Sequence, residues 1–265
     1  MASIQPLSSE QNPLLKDVRR ANLRGTLTEN GFCLAETFHL LEEALRSKCE
    51  IGGVIASKPV AKKVEDKLRG RHDLKLYTVP DELFDHLTST ETNQGVLTLV
   101  KPPEWTEADL FTEPALIVVL DGLQDPGNVG TILRAAEAFS ATGALLLKGT
   151  ASAYQPKTVR ASAGSLFRLP LLSGVQADEA LAMLTRNNIP MLAAMPGGGT
   201  AVWQQDWRTG CAIVVGSEGQ GVSRALESAA RPVSIPTQGV ESLNAALSAG
   251  ILLYEAHRQR AGGGR

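Results

Sequence analysis

The chain is poor in the features that mark specialised protein classes. Its three cysteines, Cys33, Cys49 and Cys211, are far apart and belong to no Cys-x-x-Cys or Cys/His pattern. That argues against a disulfide framework and fits structural thiols in a reducing compartment. The four histidines, His39, His72, His86 and His257, show no ligand spacing, so no metal is expected. The longer apolar runs, such as ALIVVL from Ala115, fall far short of the ~20 residues that span a bilayer. The opening MASIQPLSSEQNPLL lacks the basic start and apolar core of a signal peptide, so a cytoplasmic protein with no membrane partner is expected. A net charge of −2 argues against a protein that coats nucleic acid unspecifically.

What is present suits an ordinary α/β protein. At 265 residues, 43% of them hydrophobic, the chain has material for two domains with cores of their own. In the first hundred residues, helix signals over 13–23, 37–46, 60–68 and 81–87 alternate with strand signals over 32–35, 54–56, 74–79 and 96–100, which predicts a small α/β/α domain at 1–101. The stretch KPPEWTEADLFTE, with adjacent prolines, four acids and no apolar periodicity, reads as a linker over 102–113. Strand signals then recur at 115–120, 143–147, 190–194 and 212–216 with helices between them, so a second domain at 114–260 should hold a mostly parallel sheet. A last helix is predicted over 242–260, followed by a disordered tail at 261–265.

Charge is unevenly spread. Between Ser57 and Lys75 seven basic residues face three acidic ones, a pattern that either a solvated helix face or a phosphate-binding patch produces. From Lys148 to Arg168 there are four basic residues, Lys148, Lys157, Arg160 and Arg168, and no acid, which favours phosphate contact.

Three segments of the second half carry the chemical signal, each at a predicted strand-to-helix junction. They are DPGNVGTILRAAEAF from Asp125, VVGSEGQGVS from Val214 and IPTQGVESLNAALSAGILLYEA from Ile235. Such junctions gather backbone amides around ligands in α/β sheets. Asp-Pro-Gly-Asn is a turn signature in itself, and Asn128 falls at or near the following helix cap. Arg134 lies six residues on, so at ~100° per residue it sits roughly 120° from Asn128 and must reach back with its long side chain. The glycines of GSEGQG let bare backbone approach a flat ligand. Ser242 serves as a helix N-cap, a cleft residue, or both.

These segments resemble the three motifs of the SpoU-type (TrmH-type) branch of the SPOUT methyltransferases, over about 114–259. The first hundred residues are similar to the L30e-like substrate-binding domain found at the N-terminus of many such enzymes, through SSEQNPLLKDVRRA and TETNQGVLTLV; the Glu-Gly pair common after their first strand is Glu36-Thr37 here. The chain also reads SLNAALSA where members commonly have β-branched residues, a change at Ala245 and Leu247 that bears on packing more than on chemistry. The resemblance implies an L30e-like α/β/α domain followed by a SPOUT α/β domain with a parallel sheet and a C-terminal trefoil knot. It implies transfer of methyl from S-adenosyl-L-methionine to a ribose 2′-hydroxyl of RNA, with ribosomal RNA the leading expectation, by a homodimer. It places Gly216, Ile235 and Leu243 around the cofactor and assigns the catalytic cleft to Asn128, Arg134, Glu218, Ser242 and Asn244. Arg134 is expected to clamp the hydroxyl and a phosphate, since a guanidinium hardly ever gives up its proton; the proton acceptor is left open.

Three alternatives stand beside this reading: the same chemistry on transfer RNA, a non-catalytic RNA- or ribosome-binding assembly factor, and a nucleotide-dependent oxidoreductase. The second is disfavoured because all five cleft residues are present. The third is disfavoured because Gly122, Gly127 and Gly130 miss the G-x-G-x-x-G spacing.

Overall fold

A computed structural model describes residues 3–88 and 93–262, which form two compact units. The first comprises Met1–Pro103 with Tyr154–Phe167, the second Glu104–Ala153 with Arg168–Arg265.

In the first unit the chain runs through β1 (Ser3–Pro6), α1 (Pro13–Arg24), β2 (Cys33–Glu36), α2 (Phe38–Arg46), β3 (Ile51–Ser57), α3 (Ala61–Lys67), β4 (Lys75–Val79), α4 (Asp81–Asp85) and β5 (Val96–Val100). The sheet order is β1-β4-β3-β5-β2, with β5 antiparallel to both neighbours and the other pairs parallel. Alternation along β3 serves both faces: Ile55 joins Leu15, Val18, Leu83 and Phe84 on one side, while Val54 and Ala56 join Leu41, Val64 and Leu68 on the other. Helix α1 starts at a side-chain cap from Asn12 to the Leu14 amide, has Pro13 in its first turn, and ends at Gly25 in the left-handed region (φ 63°). The four residues of β1 are all exposed, so no alternation announced that strand. Thr90, Glu91 and Thr92 of the segment TETNQGVLTLV lie outside the described residues.

The second unit continues with α5 (Glu107–Leu110), β6 (Leu116–Asp121), α6 (Pro126–Ala138) and β7 (Gly143–Leu147). Helix α7 (Pro156–Ser162) belongs to the first unit, and the second resumes at β8 (Leu171–Val175), α8 (Ala177–Arg186), β9 (Met191–Met195) and β10 (Thr200–Ala201). It closes with β11 (Cys211–Gly216), α9 (Arg224–Glu227), β12 (Arg231–Ser234) and α10 (Ala245–Gly262). Seven strands in the order β10-β12-β9-β11-β6-β7-β8 make a sheet in which every pairing is parallel. Strand β6 is buried at all six positions, the near-continuous apolar run that a parallel sheet covered on both faces requires. Residues of α8 and α9 pack with Ile117, Val119 and Val214 on one side, and α10 packs on α6 and β11.

Three expectations are corrected here. The stretch 102–113 is not a bare linker: from Glu104 it folds into the second unit, with Leu110 fully buried and Trp105 and Phe111 against the core. Thr106 and Asp109 form a capping box at the start of α5, and Gly143 leaves the room Leu110 occupies, since a Cβ there would stand 2.4 Å from Leu110 Cγ. The segment 154–167, assigned by sequence to the second domain, packs in the first unit, α7 lying against β2. There Arg160 Nη1 meets Glu36 Oε2 at 2.6 Å, with the Glu36 side chain only 5% exposed. The last helix begins at Ala245 rather than Ser242 and includes Ala261 and Gly262, expected as tail; 263–265 lie outside the described residues.

The basic runs are largely spoken for. Lys62, Lys67, Arg69 and Arg71 pair with Glu65, Glu42, Asp66 and Asp73, and Lys63 sits 4.0 Å over the Phe38 ring. Arg160 is held by Glu36, and Arg168 by both oxygens of Glu137. These are mostly pairings that settle side chains on a surface rather than a row of free cations.

Candidate active site

Because its strands are parallel, the second unit brings the C-terminal ends of β6, β7, β9, β11 and β12 to one edge, where the loops that follow them meet. Strands β6 and β11 run in register, so Asp121 and Gly216 end side by side. The buried Asp121 accepts the Ser223 amide at 2.7 Å, tying the loop after β11 back to β6. Gly122 then turns the chain at φ 73°, and its amide is taken by Thr150 Oγ1 at 3.0 Å. Asp125 caps α6 through the Gly127 amide, so Asn128 is the third residue inside the helix rather than its cap.

The loop after β11 is closed by reciprocal backbone bonds between Ser217 and Gly221, at 3.0 and 2.9 Å. A side chain at Gly216 would place a Cβ 2.2 Å from the Gly221 carbonyl carbon, so only glycine lets the loop fold back this tightly. After β12, Ile235 leads into a segment that ends at Asn244. That residue, not Ser242, caps α10: its Oδ1 accepts the Ala246 and Leu247 amides at 2.9 and 3.3 Å.

Three side chains, from the first turn of α6, the loop after β11 and the cap of α10, form a directed chain. Asn244 Nδ2 donates to Asn128 Oδ1 at 3.1 Å, and Asn128 Nδ2 donates to Glu218 Oε1 at 2.5 Å. Chemistry fixes each amide's orientation. A carboxylate accepts only, so Asn128 must turn its NH₂ to Glu218 and its oxygen to Asn244; Asn244 must turn its oxygen to the helix amides. The chain thus ends on a carboxylate whose second oxygen has no partner among the described residues.

Beside it lies a cavity of about 310 Å³. Gly216, Ile235 and Leu243 line it together, as do Glu218 and Ser242. Val215, Val233 and Leu252 add apolar wall, and Ala194, Thr237, Glu241 and Ser248 complete parts of the lining. Of those last four, Thr237, Glu241 and Ser248 lie inside the third motif segment without having been singled out there, and Ala194, at a strand end, belongs to no motif. Arg134 is the expected site residue that the structure leaves apart. It is exposed on α6, outside the cavity lining, and pairs with no described residue. No group of three or more His, Cys, Asp or Glu among the described residues is arranged to hold a metal.

Comparison with known proteins matches residues 115–254 to the SpoU rRNA methylase family and residues 12–98 to an MRM3-like substrate-binding domain. The chain belongs to the SpoU rRNA methylase family. It is therefore an RNA methyltransferase of the SpoU class, with the matched substrate-binding domain ahead of the methylase. Among its relatives is the uncharacterized tRNA/rRNA methyltransferase slr1673 of Synechocystis, 34% identical over 98% of this chain and 96% of that one. Another is the 23S rRNA (guanosine(2553)-2′-O)-methyltransferase RlmP of Bacillus subtilis, 29% identical over 95% and 98%. An AdoMet-bound rRNA methyltransferase from Sinorhizobium meliloti superposes with a TM-score of 0.82 at 26% identity, covering 96% of this chain and 98% of its own. The likeness extends to the whole α/β architecture, parallel sheet included.

Proposed function

We propose that this protein methylates a ribose 2′-hydroxyl of ribosomal RNA, using S-adenosyl-L-methionine. The observation that carries the reading is the Asn244–Asn128–Glu218 chain, whose Glu218 lines a cavity walled by Gly216, Ile235 and Leu243. The named activity of the Bacillus subtilis relative and the AdoMet-bound state of the Sinorhizobium meliloti structure support it.

The cavity suits the cofactor on its own terms. Apolar Val215, Ile235 and Leu243 offer surface to an adenine ring, and Gly216, whose missing side chain lets the loop fold back on Gly221, sets that loop in the cavity wall. S-adenosylmethionine supplies a methyl group on a sulfonium sulfur, a leaving group that asks for alignment more than for acid or base. The substrate 2′-oxygen forms its bond to the methyl carbon as the carbon–sulfur bond breaks, and the hydroxyl proton goes to Glu218. Asn128, itself held by Asn244, fixes that carboxylate through one oxygen and leaves the other available to the substrate, while Ser242 lines the same cavity.

Arg134 completes the site as a clamp on the RNA phosphate, and it does so from a second subunit. Within one chain it touches neither the cavity nor the relay, while α10 presents Leu247 and Tyr254, each 53% exposed, as apolar surface for a homodimer. The first unit is read as L30e-like and selects the RNA, the C-terminal segment as the trefoil knot of the SPOUT fold, and the protein as cytoplasmic. Incubation with methyl-labelled S-adenosylmethionine and RNA stripped from a strain lacking the gene tests the reading. Label should enter the ribosomal fraction; label confined to transfer RNA would transfer the same chemistry to that substrate, and none in either fraction would refute it.

A further inference from the structure

A second cleft adjoins the loop that walls the cofactor cavity. It measures about 750 Å³, and it shares Ser217, Glu218, Gly219 and Gly221 with that cavity. Its remaining wall includes Asp121, Gly122, Gln124, Gly149, Arg224 and Glu227. Resting on the reading of the site as a ribose methyltransferase, we propose that this cleft seats the base of the nucleotide being methylated, that Gln124 reads it, and that it selects guanine.

Shape is the first argument. Gly149, Gly219 and Gly221 each have no atom within 4 Å of where a Cβ would stand, so the walls present bare, open backbone to a flat ring. Chemistry is the second. Gln124 Nε2 donates to the carbonyl oxygens of Gly149 and Gly122, the latter at 3.3 Å. Two carbonyls can be answered only by an NH₂, so the amide cannot turn over. Its oxygen is left as a fixed acceptor with no partner among the described residues.

Beside Ser217, Gln220 and Ser223, which can donate as well as accept, two carboxylates add acceptors. Glu227 is a carboxylate that forms no ion pair with Arg224, three residues earlier on α9. Asp121 is committed to the Ser223 amide. Such a wall repels a phosphate and attracts N–H groups, and guanine is the base whose Watson–Crick edge sets two donor positions, N1–H and the 2-amino group, side by side. Arg224, exposed and unpaired among the described residues, is the one cation of the cleft and meets the phosphate.

Isotope-labelled protein saturated with S-adenosylhomocysteine and titrated by NMR with the 5′-monophosphates of guanosine, inosine, adenosine, cytidine and uridine tests this. Guanosine monophosphate should bind at least about 5-fold tighter than adenosine monophosphate, with shifts at Gly122, Gly149 and Gly221, and inosine monophosphate, lacking the 2-amino group, should fall back toward the others. Gln124→Ala should remove the guanine preference, and Arg224→Ala should weaken all five ligands alike. Equal binding of all five, shifts elsewhere, or a preference that survives Gln124→Ala would overturn the assignment. Saturation by S-adenosylhomocysteine is monitored in the same tubes, so a failure of the methyltransferase reading itself shows separately as no cofactor binding.

Discussion

Glu218 is where the chemical account is most exposed at the scale of single residues. Glutamine is nearly isosteric and still accepts from Asn128, so Glu218→Gln keeps the geometry and removes only the proton acceptor. The expected result is a loss of about 10²- to 10⁴-fold in single-turnover methyl transfer with cofactor affinity within 2-fold of wild type; unchanged transfer would remove Glu218 from the chemistry. Thr37 supplies a stability test. Its backbone stands at φ 124°, ψ 154°, a region almost reserved for glycine, and its hydroxyl caps α2 through the Leu40 amide at 3.2 Å. Strain there costs about 1–3 kcal/mol, whereas exchanging a threonine cap for glycine costs only tenths. Thr37→Gly should therefore raise stability by on the order of 1 kcal/mol in urea unfolding; a decrease would mean the cap outweighs the strain. At this scale the sequence showed the departure, Glu36-Thr37 where the resembled family commonly has Glu-Gly, but not its cost in backbone strain. The Asn128–Glu218–Asn244 contacts were not legible, because residues 90 and 116 positions apart meet only once the sheet order is known.

At the scale of elements, the alternation of apolar runs revealed most strands and helices, and it failed where burial is borrowed from neighbours. Strand β10 has only two residues, Thr200 and Ala201, neither of them buried; it is a strand because β12 pairs with it. The same applies to α5, four residues inside an acidic, proline-led stretch, whose Leu110 has no periodic partner in sequence. Because that side chain is fully buried beside Gly143, Leu110→Ala should destabilise the protein by about 2–5 kcal/mol. A true linker residue would shift the unfolding midpoint hardly at all. The loop after β11 makes the reverse demand. Gly216→Ala forces the loop off Gly221, and cofactor affinity measured by calorimetry should fall at least about 10-fold; an unaltered affinity would separate this loop from the cofactor.

At the scale of the molecule, the sequence order of helices and strands foretold two α/β units and the parallel sheet. It did not foretell that the chain leaves the second unit at Tyr154 and returns at Arg168, since the basic, acid-free composition of that stretch says nothing about which core it packs on. The proposed dimer makes a prediction only whole molecules can answer. If Arg134 acts on the partner's site, mixing inactive Arg134→Ala and Glu218→Gln proteins should restore about a quarter of wild-type transfer, because half the dimers are mixed and each has one intact site. No recovery after subunit exchange would place Arg134 in its own chain's site or outside the reaction. The central claim concerns the atom that receives the methyl group, and alkaline hydrolysis of the labelled ribosomal RNA tests it most directly, because a 2′-O-methyl ribose cannot assist cleavage of its own phosphodiester. The account predicts label in an alkali-resistant dinucleotide that maps to one position by mass spectrometry; label released as a mononucleotide carrying a methylated base would contradict it.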